Sequence, residues 1–375
     1  MIYIDISAAV HSRAGLGRYS QYLAAALLAD QPDNYALFYN LGRDGRFPQG
    51  LPDDVPQKSI NLGYKPWRMA VLAAQQSGLS LKRLVPDATL FHSTEHLLFP
   101  LTDTPTVLTV HDLIFEMYPE YHKPLNLWYL NRAMPLFCKH ASAIIAVSES
   151  TKRDIVENYS VDPANIHVVY EAAADHFMPA APEKIAVVRT KYDLPGRFLI
   201  HLGTIEPRKN LDRLLDALLA VRHSYPDLKL VLAGSKGWLY DDFFARIAEQ
   251  GLEDIVRPLG WIPDEDLPAI LGAADLAVQP SLYEGFGLPI LEQMASGQVV
   301  AASSAASLPE VGGEAAAYFD PTDVAQMTAV ILRLLKNREE YRRRRELGLA
   351  QAAQFSWQKT ARNTRAVYDQ LLAGK

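Results

Sequence analysis

The strongest chemical signal in the sequence is a pair of glutamates, Glu284 and Glu292, that enclose a glycine-containing segment. That segment, Gly285-Phe286-Gly287-Leu288-Pro289, lies between an apolar run ending near Gln279 and a helical pattern. The first turn of such a helix exposes unpaired N–H groups and a positive dipole end, which bind phosphate. Its glycines let a ligand approach the backbone closely. The two carboxylates could bind hydroxyls at separate parts of one ligand; a plain strand–turn–helix connection with solvated glutamates is the alternative.

A second candidate loop, Gly203-Thr204-Ile205-Glu206-Pro207-Arg208-Lys209-Asn210, joins another strand to its helix. Arg208 offers a planar fork of donors and Lys209 a point charge, and both suit a phosphate or diphosphate near a helix start. An ordinary surface loop also carries such cations, so that alternative stays open at this point. The loop is not a Walker loop, because the pattern G-x-x-x-x-G-K-[ST] does not occur in the chain.

Two weaker signals lie in the first half of the chain. The string Ala14-Gly15-Leu16-Gly17-Arg18-Tyr19 lacks the third glycine of a dinucleotide fingerprint. Its glycines would let a loop approach a phosphate or sugar, and a plain turn fits equally well. His111 directly follows a predicted strand, where it could hydrogen-bond a sugar hydroxyl or transfer a proton, with a purely structural role as the alternative. His92 and His96 have no third metal ligand at a suitable spacing.

Two other charged strings are interpreted as structural. Asp264-Glu265-Asp266 resembles a metal-binding D-x-D pattern, but the prolines on either side of it favour acids at a helix start. The consecutive arginines of 342–345 are flanked by glutamates in a helical stretch, which predicts a solvated face.

The elements that must position these residues are short apolar runs that alternate with helical stretches along the whole chain. This alternation predicts βαβ units and a doubly wound α/β fold, in which ligands bind beyond the carboxyl ends of parallel strands. The predicted strands are Ile2–Asp5, Tyr35–Tyr39, Thr89–His92, Thr106–Val110, Ala143–Val147, Ile166–Tyr170, Phe198–Leu202, Leu228–Ala233, Val256–Leu259, Asp275–Gln279 and Val299–Ala302.

The clearest helix begins after Asn210, a candidate N-cap, and its leucines fall on one apolar stripe. Those leucines are Leu211, Leu214, Leu215, Leu218 and Leu219. A chain of 375 residues favours two domains. The predicted division is an N-terminal domain over 1–175, a linker over 176–196, a C-terminal domain over 197–356 and a terminal helix over 357–375 that returns to the first domain.

The composition excludes several classes of protein. Hydrophobic residues make up 49% of the chain and charged residues 21%, which is typical of a globular protein rather than a disordered one. A formal net charge of −6 argues against a nucleic-acid-coating protein. The single cysteine excludes an intrachain disulfide and fits a reducing compartment. No apolar run is long enough to span a membrane, and the N-terminus lacks a secretory pattern, so a cytoplasmic location is predicted.

Taken together, these motifs resemble those of the retaining glycosyltransferases of the GT-B fold, family 4. The resemblance rests on the E-x7-E motif of Glu284 and Glu292, the loop 203–210, the early glycine string and Val110-His111-Asp112, and it covers nearly the whole chain. Further similar strings are Ala146–Lys152, Gly260-Trp261-Ile262 and Leu308–Gly313. The early glycine string and His111-Asp112-Leu113 are most similar to those of bacterial mannosyltransferases that use GDP-mannose.

The resemblance implies two Rossmann-like domains that face each other across a cleft, with the N-terminal domain on the acceptor side and the C-terminal domain binding the nucleotide sugar. Arg208 and Lys209 would hold the donor diphosphate. Glu284 would bind the donor sugar and Glu292 the ribose, while His111 would contact the sugar near the reacting carbon, so His111 and Glu284 are the predicted catalytic residues. The full predicted donor-binding set is Gly15, Gly17, Gly203, Arg208, Lys209, Trp261, Ile262, Gly285, Phe286, Gly287, Leu288 and Glu292.

The function implied by the resemblance is metal-independent, retaining transfer of mannose from GDP-mannose in polysaccharide biosynthesis. Two fixed cations and a helix end can stabilise a departing nucleoside diphosphate without a metal. Replacement of Glu284 or Lys209 by alanine is predicted to abolish transfer and leave the fold intact. The alternatives are a UDP-sugar donor, a sugar-nucleotide epimerase of the same fold and, from another class, a binding module without activity, in which these charged residues would be expected to be lost.

The acceptor implied by the resemblance is a glycan or a lipid-linked saccharide. The segment Tyr64–Leu84 contains Trp67 and four basic residues among apolar ones, namely Lys65, Arg68, Lys82 and Arg83. Such a segment could lie on an anionic membrane surface, and a core helix with one solvated face explains it equally well. Peripheral membrane association is therefore one of the predictions that a binding experiment must decide.

Overall fold

The computed structural model describes residues 1–12, 14–52 and 54–374. These residues form two compact units. The N-terminal unit comprises Met1–Glu171 together with the C-terminal segment that starts at Ser356, and the C-terminal unit comprises Ala172–Phe355. The stretch 176–196, predicted as a linker, carries a helix of its own at Pro182–Lys191.

The N-terminal unit is built on a parallel sheet of seven strands in the order β3-β2-β1-β4-β5-β6-β7. The strands are β1 Ile2–Asp5, β2 Tyr35–Asn40, β3 Gln57–Ile60, β4 Leu90–Ser93, β5 Thr106–Val110, β6 Ala143–Ala146 and β7 Ile166–Val168. The helices between them are α1 Ser7–Val10, α2 Ala14–Asp30, α3 Tyr64–Ser77, α4 Ile114–Met117, α5 Pro124–His140 and α6 Glu149–Tyr159. Aromatic residues of the central strands and neighbouring loops, such as Phe38, Phe91 and Phe99, pack together in the core.

The C-terminal unit contains a parallel sheet of six strands in the order β10-β9-β8-β11-β12-β13. The strands are β8 Phe198–Leu202, β9 Lys229–Ala233, β10 Val256–Gly260, β11 Leu276–Gln279, β12 Val300–Ser303 and β13 Ala317–Phe319. The helices are α7 Pro182–Lys191, α8 Leu211–Val221, α9 Asp241–Glu249, α10 Leu267–Ala273, α11 Leu288–Ala295, α12 Leu308–Gly312, α13 Val324–Lys336 and α14 Arg338–Ala352. The predicted leucine stripe of α8 is buried in the core, except for Leu219, which is half-buried.

The last helix, α15 (Trp357–Ala373), belongs to the N-terminal unit and packs against α2. The Trp357 ring stacks on Tyr22 with a centroid distance of 5.5 Å. Further along the helix, the Tyr368 hydroxyl lies 2.6 Å from His92 Nδ1. No helix in the described part of the chain is both long and apolar enough to cross a bilayer.

These two parallel-sheet α/β units confirm the predicted fold class. All eleven predicted strands are present, three of them with the predicted bounds and the others with ends that differ by one or two residues. The prediction missed two edge strands, β3 and β13. β3 has the polar sequence Gln-Lys-Ser-Ile with three exposed residues, and β13 is only three residues long, so neither carries a distinct apolar run.

Candidate active site

The two loops with the strongest chemical signals lie side by side at the carboxyl edge of the second sheet. β8 pairs directly with β11, so the loop 203–210 after β8 and the loop 280–287 after β11 leave the sheet as neighbours. Backbone contact then fixes them together, because the Leu282 N–H donates to the Arg208 carbonyl at 2.8 Å. In an open parallel sheet this edge is where ligands bind.

Glu284 is the centre of the cluster that these loops form. Its Oε2 accepts from Arg208 Nη1 at 2.6 Å, and its Oε1 accepts from Lys209 Nζ at 2.5 Å and from Ser281 Oγ at 2.7 Å. Arg208 also donates to the Tyr283 carbonyl at 3.1 Å. The predicted proximity of the cations to the E-x7-E loop is therefore observed, and one carboxylate bridges both of them.

Burial and charge act in opposite directions on this cluster. Burial alone would raise the pKa of Glu284, but the adjacent Arg208 and Lys209 cations outweigh it and hold that pKa well below its usual range. Burial, followed by repulsion from Arg208, lowers the pKa of the Lys209 ammonium. The carboxylate is thus ionised across the physiological range and fixes the positions of both cations.

The buried Lys209 ammonium retains capacity for a ligand. It carries three N–H donors, and within the described residues it makes one hydrogen bond, to Glu284. Gly203 leaves space beside it: a Cβ there would lie 3.4 Å from Lys209 Nζ and 3.5 Å from His201 Nε2. Burial, then the Lys209 charge, lowers the pKa of His201 to about 3, so this ring is neutral.

Glu206 is a member of the cluster that the sequence analysis did not single out. Its Oε1 lies 2.5 Å from Arg208 Nε, and the side chain is almost completely buried. Its second oxygen has no hydrogen-bond partner among the described residues. Together with Glu284 it balances the two cations, so the guanidinium is held by carboxylates on two sides. The signal that could have revealed it is an acid immediately before Pro-Arg-Lys in a loop otherwise suited to an anion.

Asn210 lies at the N-cap position of α8, as predicted, but its side chain makes no capping hydrogen bond. Instead its Nδ2 donates to the carbonyls of Pro280, at 3.0 Å, and Pro321, at 2.7 Å. Its φ of +57° is left-handed, a conformation that asparagine tolerates better than most residues. The prediction of a side-chain cap was wrong because the amide is used to tie three loops together.

The start of α11 is shaped by Gly287. This residue has φ +105° and is the N-cap of the helix, which begins at Leu288 and has Pro289 in its first turn. Ser307 Oγ donates to the carbonyls of Glu284, at 2.8 Å, and Phe286, at 2.7 Å, and so fixes the loop that leads into the helix. Gly285, Phe286 and Leu288 are thereby held at the N-terminal end of the helix.

Replacement of Gly287 by alanine is expected to destabilise the C-terminal unit by about 2–5 kcal/mol, from left-handed strain of about 1–2 kcal/mol and overpacking of about 1–3 kcal/mol. A Cβ at this position would lie 2.7 Å from Leu308 Cδ2. Gly251 is the matched control, since it has φ +65° and nothing within 4 Å of an added Cβ. Urea unfolding followed by tryptophan fluorescence should give a larger loss for Gly287→Ala; equal losses would contradict the packing argument.

The remaining predicted donor-binding residues of this unit lie along the same sheet edge or helix. Glu292 lies within α11 and is buried. Trp261 and Ile262 follow β10, two strands from β8, and Trp261 is 71% exposed while Ile262 is buried. An exposed aromatic residue next to a buried aliphatic residue is compatible with a planar ligand ring that lies along the backbone of this segment. The family resemblance implies that the backbone around Trp261 and Ile262 borders the nucleobase, and this assignment stays a prediction.

His111, in the N-terminal unit, follows β5 directly and is buried. Its Nδ1 lies 3.0 Å from Glu171 Oε1, and its Nε2 lies 2.9 Å from the Thr94 carbonyl oxygen. The backbone N–H of His111 donates to His96 Nε2 at 3.0 Å. Both ring nitrogens are therefore occupied, which the sequence analysis did not foresee; Glu171 and Thr94 are residues that it missed.

The early glycine string forms a helix rather than the loop that was predicted. Gly15 and Gly17 lie in the first turn of α2, which starts at Ala14. A Cβ on Gly17 would come within 3.0 Å of the Ala8 carbonyl oxygen, so this glycine allows close packing of α2 against α1. Gly15 is exposed and has nothing within 4 Å of an added Cβ, which leaves it accessible to a ligand.

The structure largely supports a structural role for the two charged strings, the acids of 264–266 and the arginines of 342–345. Asp266 precedes α10 and accepts from Lys191 at 2.6 Å, which fits an acid at a helix start. The arginines of 342–345 are not all solvated, however: Arg344 donates to three backbone carbonyls and Arg345 to the Gly297 carbonyl. Across the described residues, no group of three or more His, Cys, Asp or Glu side chains is arranged to hold a metal ion.

Comparison with known proteins identifies the family. Residues 13–173 match the family described as Glycosyltransferase Family 4, and residues 188–350 match Glycosyl transferases group 1. O-antigen chain mannosyltransferase B of Escherichia coli is 33% identical over 372 residues, which cover 94% of this chain and 95% of that protein. The serotype-specific mannosyltransferase WbdA of Escherichia coli is 33% identical over 267 residues, 68% of this chain but only 32% of that protein.

A solved structure gives the same fold. HepE of Anabaena, crystallised in complex with UDP and glucose, superimposes with a TM-score of 0.75 at 18% identity, covering 98% of this chain and 99% of that one. At this identity the similarity concerns the fold alone. The chain belongs to the family 4 glycosyltransferases of the GT-B fold, and it is a glycosyltransferase.

Proposed function

We propose that this enzyme transfers mannose from GDP-mannose to a glycan or lipid-linked saccharide in polysaccharide biosynthesis. The sugar is suggested by the two relatives named mannosyltransferases, one of them similar along its whole length. The observation that carries the donor class is the buried Lys209 ammonium beside Arg208, which uses one of its three N–H donors within the described part of the chain. A diphosphate supplies acceptor oxygens for the remaining Lys209 donors.

In this proposal the cations hold the leaving group. The bond from the sugar anomeric carbon to the phosphate oxygen breaks, and the negative charge that develops on the diphosphate is stabilised by Arg208, Lys209 and the N–H groups at the start of α11. Because Glu284 fixes the positions of Arg208 and Lys209 before the donor arrives, these side chains need little reorganisation during the reaction. Retention follows if the acceptor oxygen attacks on the same face and its proton passes to the departing phosphate oxygen.

Glu284 has room for one further role. A carboxylate offers about four lone-pair sites. The three hydrogen bonds from Arg208, Lys209 and Ser281 occupy three of them, which leaves one on Oε2 for a donor sugar hydroxyl. Glu292 as a ribose ligand, and His111 and Gly15 as contacts of the donor sugar and phosphate, are further parts of the proposal. Gly17 is better explained by helix packing.

A panel of donors tests this proposal most directly. Purified enzyme should release GDP from GDP-mannose when supplied with an oligomannose or lipid-linked acceptor, and it should release little UDP from UDP-glucose. HepE, whose structure contains UDP and glucose, makes UDP-sugars the second candidate. Preference for a UDP-sugar would overturn the donor assignment, and a change of the donor's sugar isomer without an acceptor would indicate an epimerase instead.

The stereochemistry and the metal requirement need separate measurements. Proton NMR of the first-formed product should show the α-configuration of the donor, since the proposal is retaining. Initial rates should be unchanged after treatment with EDTA, because the two cations take the place of a divalent ion at the diphosphate. A β-linked product, or a loss of activity that Mg²⁺ or Mn²⁺ restores, would refute the respective part of the mechanism.

Membrane association remains a proposal that the contacts of α3 make more specific. Trp67 is buried, and Arg68 stacks on Tyr129 at 3.7 Å, so neither faces a membrane. Lys82 donates to Thr104 Oγ1 at 2.7 Å. Lys65 and Arg83 are left among the exposed residues, together with apolar side chains such as Met69. Flotation with anionic liposomes at low salt is the test, and failure to float would exclude this surface as a membrane contact.

A further inference from the structure

The buried pair formed by His111 and Glu171 suggests a role beyond donor binding. The partner of Nδ1 is a carboxyl oxygen of Glu171, and the partner of Nε2 is the backbone carbonyl oxygen of Thr94. A carbonyl oxygen only accepts hydrogen bonds, and so does a carboxyl group that is ionised. Two accepting partners require a proton on each nitrogen. With Glu171 ionised, this geometry fits an imidazolium, because a neutral histidine would leave one ring nitrogen facing an acceptor without a hydrogen.

We propose that Glu171 is a positioning residue that keeps His111 doubly protonated, so that His111 acts in transfer as a fixed positive charge and never as a base. This inference rests on the proposed function, which places His111 near the reacting sugar. Glu171 does not need to touch the substrate. It sets the charge and the orientation of the ring that is expected to do so.

The other groups around His111 support this charge state. Tyr19 packs edge-on against the His111 ring, with 4.6 Å between the ring centroids. Burial raises the pKa of the Tyr19 hydroxyl above its ordinary range, so Tyr19 is neutral. Burial lowers the pKa of His92 to about 3, and this second histidine adds no charge. His96 accepts from the His111 backbone through Nε2, with ring centroids 6.0 Å apart. Asp112 adds a negative charge nearby.

The pKa of His111 itself agrees with the geometry. Burial disfavours the imidazolium, but the hydrogen bond and the charge of Glu171 outweigh that effect, and the pKa is raised above its ordinary value. A raised pKa means that the charged form persists below it and is lost as the pH increases through it. If the imidazolium is the active form, kcat/KM must therefore fall on the alkaline side.

This charge state also restricts the chemistry. A ring with a proton on both nitrogens cannot accept the acceptor's hydroxyl proton. That proton must leave with the departing diphosphate, so that the bond from the anomeric carbon to the phosphate oxygen breaks as the new glycosidic bond forms. In this proposal the imidazolium stabilises the negative charge that develops on the departing diphosphate during bond cleavage.

Glu171→Gln is the informative substitution, because glutamine can still accept from Nδ1 while the negative charge is removed. We expect the pKa of His111, followed by NMR titration of its ring in the ligand-free protein, to fall by about one to three pH units. The alkaline limb of kcat/KM should move down by the same amount. Glu171→Asp should restore most of both, and the exposed Glu157→Gln in the same unit is the matched control.

The two readouts separate this inference from the proposed function. If the pKa of His111 falls as expected but GDP-mannose is not a donor, the role of Glu171 stands and the donor assignment fails. An unchanged pKa in Glu171→Gln overturns the inference. If that variant does not fold, the nitrogen-15 shifts of wild-type His111 at pH 7 decide, because they distinguish an imidazolium from either neutral tautomer.

Discussion

Glu284→Ala is expected to abolish transfer and to destabilise the C-terminal unit by about 3–5 kcal/mol, the range for removing one partner of a buried ion pair. The carboxylate is the shared partner of Arg208 and Lys209, and without it the buried Lys209 ammonium has no hydrogen bond within the described residues. The sequence alone predicted loss of transfer with an intact fold. The structure adds a substantial loss of stability, so low activity of this variant has to be separated from unfolding.

Glu284→Gln and Glu253→Ala provide that separation. Glutamine keeps a group of the same shape that can accept from Ser281, while the exposed Glu253 tests the effect of removing one negative charge from the same unit. Urea midpoints should rank wild type and Glu253→Ala highest, Glu284→Gln intermediate and Glu284→Ala lowest. A Glu284→Ala protein as stable as wild type would refute the idea that the carboxylate holds the cluster together.

The pH dependence of stability gives an independent check on the same carboxylate. The pKa of Glu284 is depressed in the folded protein, so its contribution to stability is fully present above the unfolded pKa of about 4.3 and is lost as the pH falls from there through the lower folded pKa. The difference in stability between wild type and Glu284→Gln should therefore hold from about pH 6 to pH 5 and shrink on acidification from about pH 4 to pH 2. A difference that is constant over this range would show that the charge is not the stabilising feature.

Much of the fold follows from local sequence because a strand buried in a parallel sheet is apolar on both faces. β5 is an example: Thr106–Val110 is buried along its whole length and was predicted with its observed bounds. β3 has the opposite character, since it pairs only with β2 at the sheet edge and three of its four residues are exposed. Edge strands form through backbone pairing that leaves little trace in hydrophobic patterning.

The site was predictable where the chemistry lies within one loop, and less so where it depends on sheet order. Arg208, Lys209 and Glu284 were recognisable from residue type and from the family's motifs. That Glu284 bridges both cations depends on β8 lying beside β11, which strand patterning does not reveal. The same holds for Glu171, whose partner His111 lies sixty residues earlier in the chain.

The early glycine string shows a different source of error. Two glycines within four residues indicate a turn by local preference, because glycine lowers helix stability by about 1 kcal/mol relative to alanine. In the structure Gly17 lies in α2 because the helix must approach the Ala8 carbonyl of α1 closely. The tertiary contact therefore decides the local structure, and the residue that looks like a loop former is a packing residue.

The second large effect is expected for Lys209→Met. Methionine replaces the buried ammonium by an uncharged chain of similar length, so the substitution removes a diphosphate ligand with less loss of volume than alanine would cause. Glu284 keeps its hydrogen bonds from Arg208 and Ser281, so stability should suffer less than in Glu284→Ala. The expected fall in kcat is about 10²–10³-fold, the range for loss of one preorganised group that stabilises developing charge.

The decisive comparison for Lys209 is between the chemical step and binding. If the ammonium stabilises the departing diphosphate more than the bound donor, kcat should fall further than the donor KM rises. Lys336→Met, on the exposed end of α13, removes the same charge from the same unit and should leave both parameters unchanged. A Lys209→Met enzyme within a few-fold of wild-type kcat would mean that Glu284 binds this ammonium only to hold the loop. Catalysis of departure would then have to come from Arg208 and the helix N-terminus alone.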